Sequence, residues 1–204
     1  MTGRTLVLVR HGRTAYNHEN RIQGQLEVEL DDTGHAQAAA LAPVIAALRP
    51  AAIWSSDSAR ARQTAVYLAK ETGLEPTYDA RLREYFLAGR QGLTHEEYDS
   101  VAPEEFATFL QGDYDVVPGG ERTAEVAARM VAALRELLGS VEPGSVAVAV
   151  SHGAAIRDAV PVLLGLPPTA RSVLRGPANC GWVELDVPAS GPARLVAYNR
   201  VVGD

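Results

Sequence analysis

The chain has 204 residues, of which 47% are hydrophobic and 22% are charged, and its formal net charge is −6 at pH 7. This size and composition predict one α/β domain over residues 1–204 and exclude a disordered or fibrous protein. The net negative charge argues against the overall basic surface of a nucleic-acid-binding protein.

The single cysteine, Cys180, and the N-terminal segment predict a cytoplasmic protein. One thiol cannot form an internal disulfide and fits a reducing compartment, so we interpret Cys180 as a small buried apolar side chain. The apolar run over residues 6–9 is too short for a signal peptide or a membrane span. We therefore expect neither a membrane nor a nucleic acid as a partner, whereas a homodimer stays open.

The first half of the chain alternates between predicted strands and helices. Runs of β-forming apolar residues predict two buried strands, over residues 5–9 and 51–54, and residues 75–78 are a candidate third strand. Between the first two strands lies a predicted helix that Asp32 or Thr33 caps. The run of residues 55–58 offers N-cap candidates for an Arg- and Ala-rich helix that ends near Gly73.

The second half begins with a capping box and continues the alternation. Residues 94–97 read THEE, which predicts the start of a helical stretch that is interrupted near Pro103. The remaining predicted elements are a helix over 123–139, a strand over 145–150, a helix to about residue 164, and an antiparallel pair over 181–187 and 194–198.

This order of elements predicts a three-layer α/β/α fold with a doubly wound, mostly parallel sheet. In such sheets, ligands bind at the carboxyl ends of the strands. Three predicted strands end there in polar clusters: Arg10-His11-Gly12, Ser55-Ser56 ahead of Arg60, and Ser151-His152-Gly153. The charged residues need not lie inside a buried strand, because they can line the crevice beyond its end.

Residues at these strand ends could bind a phosphate group. Lys70 is the only lysine among 19 basic residues, so planar guanidinium forks would contact the phosphate oxygens. Arg10, Arg60 and Arg13 are the candidates, with backbone amides around Gly12 as further donors.

The same crevice would hold catalytic groups. One neutral histidine, His11 or His152, can attack phosphorus, and the other can stabilise charge in the transition state. Glu84, after a predicted strand, could give a proton to the leaving alkoxide. Each residue alone also fits a solvated or capping role, and Glu84 could simply pair with Arg81 or Arg83. On these residues alone, both interpretations stay open.

The stretch LVRHGRTAYN resembles the RHG signature of the histidine phosphatase superfamily, which includes the cofactor-dependent phosphoglycerate mutases. Further matches follow in the family's order and span nearly the whole chain: RIQGQLEVELDDTG, SSDSARARQTA, LRE with GLTHEE, PGGE and SHGAAIR. The resemblance implies the phosphoglycerate mutase-like fold, with about residues 85–121 as a helical cap insertion over the active site.

The resemblance also implies a role for each matching residue. His11 would be the nucleophile that becomes phosphohistidine, and Arg10, Arg60 and His152 would bind the phosphoryl group. Glu84 would be the proton donor and then the base for the attacking water. The family's phosphate pocket is further lined by residues that match Asn17, Gln23, Gly24 and Gly153. No metal and no other cofactor are implied.

The chain departs from the family's pattern in two segments. Relatives often carry D-x-P-L-T after the QG dipeptide, where residues 27–31 read EVELD; after the glutamate they often carry G-x-W-E-G, where residues 88–92 read AGRQG. Both departures bear on packing near the pocket and on substrate fit. Three histidines, His18, His35 and His95, match nothing catalytic and are interpreted as surface residues.

The resemblance implies a metal-independent phosphomonoesterase that acts on a small phosphorylated metabolite. A phosphoglycerate mutase is one alternative, which the chain length and the lack of the mutases' R-H-Y-G-x-L-x-G stretch disfavour. A non-catalytic phospho-ligand-binding module is another, which the presence of both histidines and the glutamate disfavours. LRE and GLTHEE are also similar to actinobacterial glucosyl-3-phosphoglycerate phosphatases, so that ester or a related sugar or glycerate phosphate is the expected substrate.

The predicted cap is acidic. Residues 91–121 contain no lysine or arginine and carry eight acidic residues: Glu96, Glu97, Asp99, Glu104, Glu105, Asp113, Asp115 and Glu121. These carboxylates either form a solvated helix face or face the pocket, where they would disfavour polyanions and tolerate hydroxyl-rich phosphomonoesters.

Overall fold

Four parallel strands and a final antiparallel pair form one sheet. The structure is a computed structural model that describes residues 3–203. Its strands are β1 (Arg4–Arg10), β2 (Pro50–Ser55), β3 (Thr77–Tyr78), β4 (Val146–Ser151), β5 (Trp182–Val187) and β6 (Arg194–Arg200). Their spatial order is β3-β2-β4-β1-β5-β6, and pairing is parallel from β3 to β1 and antiparallel beyond β1. The predicted mostly parallel sheet is confirmed.

Helices connect these strands. Within residues 3–203 they are α1 (Ala15–His18), α2 (Asp32–Ala47), α3 (Ala59–Thr72), α4 (His95–Val101), α5 (Pro103–Leu110), α6 (Thr123–Gly139) and α7 (Gly153–Leu163). The N-cap of α2 is Asp31, whose side chain accepts from the backbone N–H of Gly34, so the predicted caps Asp32 and Thr33 are wrong by one or two residues. No helix in the described part of the chain has the length and apolar character needed to cross a membrane.

Other predicted helix boundaries are confirmed. Helix α3 ends at Thr72, and Gly73 is its C-cap with a left-handed φ of 71°. Thr94 and Glu97 form a capping box that opens α4. Pro103 begins the separate helix α5, since proline lacks the N–H that would continue α4.

Side chains of β1 alternate between two cores, one on each face of the sheet. Leu6 and Leu8 pack in the core that includes side chains of α6 and α7, whereas Val7 and Val9 pack in the core of α2 and α3. All four side chains are fully buried. Helices therefore cover both faces of the sheet, which confirms the three-layer arrangement.

The carboxyl ends of β1, β2 and β4 meet at one edge. The parallel register sets Arg10 opposite Ser151 and Ser55 opposite Val150. Side chains that follow these strands therefore emerge close together. The segment 85–121 contributes α4 and α5, whose aromatic side chains pack into the core of α6 and α7; its assignment as a cap insertion stays a prediction.

Candidate active site

A cavity of about 340 Å³ opens at this edge of the sheet. It brings together eight of the nine predicted site residues: Arg10, His11, Asn17, Gln23, Gly24, Arg60, Glu84 and Gly153. The ninth, His152, is fully buried, with its ring centroid 5.1 Å from that of His11. Residues far apart in the sequence thus converge on one site.

A short loop fixes the imidazole of His11. Its Nδ1 lies 2.7 Å from the carbonyl oxygen of Gly12. Because a carbonyl only accepts, Nδ1 carries the proton and Nε2 keeps its lone pair. The Nε–H of Arg60 is directed at this Nε2 from 3.3 Å. Glycine is needed at position 12, since a Cβ there would lie 2.6 Å from the carbonyl oxygen of Gly34.

Both buried histidines are neutral at neutral pH. Burial first, and then the positive charge of Arg60, hold the pKa of His11 and the pKa of His152 well below the ordinary value of about 6.5 for imidazole. A neutral imidazole is the form that can attack phosphorus. His11 therefore carries an imidazole in the form that a nucleophilic role would require.

Serine hydroxyls orient His152. Its Nε2 shares hydrogen bonds with Ser56 Oγ at 2.9 Å and with Ser58 Oγ at 3.3 Å. Ser58 is the N-cap of α3 but makes no side-chain capping bond. The buried Nδ1 of His152 has no hydrogen-bond partner within residues 3–203. When the hydroxyls donate to Nε2, Nδ1 carries the proton and can donate to an anion.

The guanidinium groups of Arg60 and Arg10 line the cavity. Arg60 is 1% exposed and donates to the carbonyl oxygens of Gly24 and Leu26 at 2.7 and 2.9 Å. Burial lowers the pKa of Arg60 to about 10, which leaves it positively charged at neutral pH. Arg10 donates to the carbonyl oxygen of Pro177 at 2.7 Å, whereas its buried Nε–H has no acceptor in the described part of the chain. That unused donor suits an anionic ligand.

Arg13, the third candidate for phosphate binding, does not line the cavity. Its Nε donates to the carboxylate of Asp31 at 2.8 Å, and its Nη2 donates to the hydroxyl of Thr33 at 2.7 Å. This pairing at the start of α2 directs the guanidinium elsewhere, so the prediction for Arg13 is wrong.

The carboxylate of Glu84 is held by backbone amides. It accepts from the N–H groups of Ala154 and Ala155, in the first turn of α7, both at 3.0 Å, and from that of Tyr85 at 3.1 Å. The N–H groups of Ala154 and Ala155 have no partner within the helix, so they are free to fix the orientation of the Glu84 side chain. The neighbouring arginines pair with other carboxylates, Arg81 with Asp79 and Glu136 and Arg83 with Asp57. The alternative of a simple ion pair with Glu84 is therefore wrong.

Asn17 and Gln23 are oriented by one threonine. The Oδ1 of Asn17 accepts from the backbone N–H of Thr14 at 3.2 Å, and the Oε1 of Gln23 accepts from the Thr14 hydroxyl at 3.0 Å. These bonds use the oxygen of each amide. The amide nitrogens, which are donors, stay available for an anion in the cavity.

Both segments that depart from the family's pattern pack beside the cavity. Gln91 accepts from the backbone N–H of Gln25 at 2.8 Å, and its Oε1 would lie 2.2 Å from a Cβ on Gly24. Glu27 accepts from the backbone N–H of Ala59 at 2.8 Å, at the start of α3. Both segments therefore make local contacts beside the cavity, and the predicted site residues are assembled despite the departures.

Sequence analysis missed the distal part of the cavity, which is lined by Arg21, Ile22, His95, Phe109, Tyr114 and Arg157. His95, interpreted as a surface residue, is half-buried with its ring 5.4 Å from that of Phe106, so that interpretation is wrong. Arg157 lies four residues after Gly153, a spacing that puts both on one face of α7 and could have revealed it. No local signal predicts Arg21 or His95 at the site.

The carboxylates of the predicted cap lie outside the cavity. None of the eight is among the described residues that line it. Glu105 pairs with Arg90 at 2.7 Å, and Glu121 pairs with Arg129 at 2.9 Å. The interpretation in which these acids face the pocket and disfavour polyanions is therefore wrong.

Two further sequence interpretations concern reactivity. Cys180 is buried, and burial raises the pKa of its thiol to about 12, which confirms it as an unreactive core side chain. Within residues 3–203, no three His, Cys, Asp or Glu side chains are grouped so that they could hold a metal ion.

Comparison with known proteins finds relatives along nearly the whole chain. Residues 6–200 match the histidine phosphatase superfamily (branch 1). The chain is 41% identical over 192 residues to glucosyl-3-phosphoglycerate phosphatase of Mycobacterium tuberculosis, an alignment that covers 91% of this chain and 86% of that protein. It is 37% identical over 187 residues to the probable phosphoglycerate mutase GpmB of Salmonella paratyphi C, covering 90% and 85%.

Solved structures show the same likeness. The mycobacterial glucosyl-3-phosphoglycerate phosphatase complexed with VO3 matches with a TM-score of 0.88 at 38% identity, over 96% of this chain and 99% of that chain. Family, fold and close relatives agree with the residues assembled in the cavity. The chain therefore belongs to the histidine phosphatase superfamily and is a phosphoric monoester hydrolase.

Proposed function

We propose that the enzyme hydrolyses glucosyl-3-phosphoglycerate in two steps, through a phosphohistidine on Nε2 of His11. In the first step Nε2 attacks phosphorus, the bond from phosphorus to the ester oxygen breaks, and Glu84 gives a proton to the leaving alkoxide. In the second step Glu84 takes a proton from water while the water oxygen attacks phosphorus and the bond from phosphorus to Nε2 of His11 breaks. Phosphate then leaves, and His11 and the protonated Glu84 are restored.

The bond from Nδ1 of His11 to the carbonyl oxygen of Gly12, at 2.7 Å, is the observation that carries this mechanism. It places the proton on Nδ1 and so leaves Nε2 with the lone pair that attacks phosphorus. Arg10, Arg60 and the Nδ1 of His152 supply donors around it for the oxygens of the phosphoryl group. Donors that are in place beforehand are the main source of stabilisation in phosphoryl transfer.

The substrate is proposed from the relatives and from charge in the distal part of the cavity. Arg157 is neutralised by the fully buried carboxylate of Asp158, at 2.7 and 2.8 Å. The guanidinium of Arg21 donates to the carbonyl oxygen of Gly92, but its ion pairs are long, at 3.3 and 3.4 Å, with Glu19 and Glu97, which are about half exposed. We therefore assign Arg21 to the carboxylate of the glycerate, since a loosely paired guanidinium is available for a carboxylate ligand.

Phosphate release from glucosyl-3-phosphoglycerate, with a metal chelator present, tests this function. We expect turnover by the wild-type enzyme and a loss of roughly 10⁴-fold or more in His11→Ala, because the nucleophile is removed. Turnover that stops on chelation would contradict the metal-independent mechanism. Turnover that survives in His11→Ala would contradict the phosphohistidine.

The likeness to the probable mutase GpmB supports a second candidate function. A mutase returns the phosphoryl group to its substrate, whereas a phosphatase gives it to water. Incubation with 3-phosphoglycerate and a bisphosphate primer separates the two, because a mutase would yield an isomer without net release of phosphate.

We also propose a cytoplasmic location. The single buried thiol of Cys180 supports it, since a chain without disulfides is suited to a reducing compartment. Recovery of the native chain in a membrane or secreted fraction would contradict this proposal.

A further inference from the structure

Glu84 has no helix or strand of its own to hold it. It lies in the loop 83–87, between 3-10 turns at Ala80–Leu82 and Ala88–Arg90. A proton donor works only if it stays within hydrogen-bond reach of the leaving oxygen. The loop must therefore be held by side chains from other parts of the fold.

Arg129 of α6 binds the backbone of this loop. Its Nη1 donates to the carbonyl oxygens of Arg81 and Arg83 at 2.8 and 2.6 Å, and its Nη2 donates to that of Glu84 at 2.9 Å. A guanidinium suits this task because its N–H donors lie in one rigid plane. One side chain thus satisfies three carbonyl groups around the proposed acid.

Glu121 holds that guanidinium and the far side of the loop. Its two oxygens accept from Nε and Nη2 of Arg129, each at 2.9 Å. Oε2 also accepts from the backbone N–H of Phe86 at 2.8 Å and from Nε2 of Gln25 at 3.2 Å. The same Gln25 nitrogen lies 3.0 Å from the carbonyl oxygen of Glu84. The backbone on both sides of Glu84 is therefore tied to one ion pair.

We propose that Glu121 and Arg129 are positioning residues for the general acid, a role that rests on the proton transfer proposed for Glu84. Neither is among the described residues that line the cavity, so both act through the loop and not on the substrate. They fix the backbone of Glu84, while Ala154 and Ala155 fix its carboxylate. The glutamate of the PGGE motif thereby gains a function.

The test is the dependence of Glu121→Gln on the leaving group. Glutamine keeps the size of the side chain but turns one acceptor oxygen into a donor, which breaks the bonds to Arg129 or to Phe86. We expect kcat/KM to fall roughly 10- to 100-fold on glycerol 3-phosphate, an alkyl ester that needs the proton, and less than about 3-fold on p-nitrophenyl phosphate, which does not. A purely structural role would lower both values together.

Three variants make the result decisive. Glu136→Gln removes the carboxylate that pairs with Arg81 at 2.8 Å without touching the backbone of Glu84, and should leave both esters unchanged. Gln25→Ala should show the selective loss in a milder form if Glu121→Gln fails to fold. Added to Glu84→Gln, the change Glu121→Gln should cause no further loss on the alkyl ester, because the positioned group is already gone.

The outcomes separate the positioning role from the function on which it rests. If Glu84→Gln is selective for alkyl esters and Glu121→Gln is silent or lowers both esters equally, the positioning role is overturned while the general acid stands. If Glu84→Gln itself shows no selectivity, both proposals fall. A selective loss in both single variants, without additivity, supports them together.

Discussion

The two sides of the cavity are built in different ways. His11 follows β1 and His152 follows β4, so the proposed phosphoryl side rests on the central strands of the sheet. Glu84, on the opposite side, lies in an irregular loop, and the distal part takes residues from the segment 85–121. The difference teaches that the groups proposed to bind and transfer the phosphoryl group are positioned by the strands of the sheet. The groups that contact the leaving group and the rest of the substrate are positioned by loops, which side chains hold in place.

The largest difference in kcat/KM between alkyl and aryl esters is expected from a substitution of Glu84, in the loop 83–87. Glu84→Gln should lower kcat/KM for alkyl phosphates by roughly 10²–10⁴-fold, the usual contribution of a general acid. Aryl esters should lose far less, because an aryl oxide leaves without a proton. Parallel assays of glycerol 3-phosphate and p-nitrophenyl phosphate measure this ratio. Equal losses on the two esters would remove Glu84 from the role of acid.

Substitutions on the phosphoryl side of the cavity should lower kcat/KM to the same extent for every leaving group. Arg60→Lys should lower kcat/KM by roughly 10²–10³-fold on both esters, because lysine cannot reproduce the planar fork at the phosphoryl group. Arg62→Lys, on the same helix but exposed, is the matched control and should retain activity. Near-wild-type activity of Arg60→Lys would remove this residue from the phosphoryl site.

The distal part should distinguish substrates by charge. Arg21→Gln should lower kcat/KM for 3-phosphoglycerate by roughly 10-fold, the weight of one hydrogen bond to a charged group. Glycerol 3-phosphate replaces the carboxylate with a hydroxymethyl group, so its kcat/KM should not change. A loss shared by both compounds would mean that Arg21 supports the fold through its bond to the carbonyl oxygen of Gly92.

Low pH should destabilise the folded enzyme through the two buried histidines, His11 and His152. The pKa of His11 and of His152 lies well below the unfolded value of about 6.5, so below that pH the unfolded chain binds more protons than the folded enzyme. Each histidine should therefore lower the free energy of unfolding as the pH falls from 7.5 to 5.5. Urea unfolding at pH 5.5 and at pH 7.5 measures this loss of stability. The loss should be smaller in His11→Gln, because one of the two histidines is absent.

Sequence reasoning correctly predicted the residues that lie at the ends of the central strands. The parallel sheet and the assembly of Arg10, His11, Arg60 and Gly153 at one cavity were predictable, because parallel strands carry their following residues to a common edge. Their catalytic roles stay predictions until the variants above are measured.

Sequence reasoning failed where long-range pairing decides the direction of a side chain. Arg13 sits beside the RHG motif yet turns to Asp31, and His95 turns inward against Phe106. The acidic composition of the segment 91–121 did not reveal that its carboxylates have partners outside the cavity, such as Arg90 for Glu105. These outcomes depend on contacts between residues that no local pattern joins.

The first turn of α7 has a consequence for how this enzyme class can diversify. His152 is the N-cap of α7, Gly153 lines the cavity, and the next two amides hold the carboxylate of Glu84. One helical turn, about 5.4 Å in pitch, thus sets the distance between His152 and the carboxylate of Glu84. Segments outside this turn, such as 85–121, can therefore be exchanged to admit new alcohols while the distance between the two groups is kept.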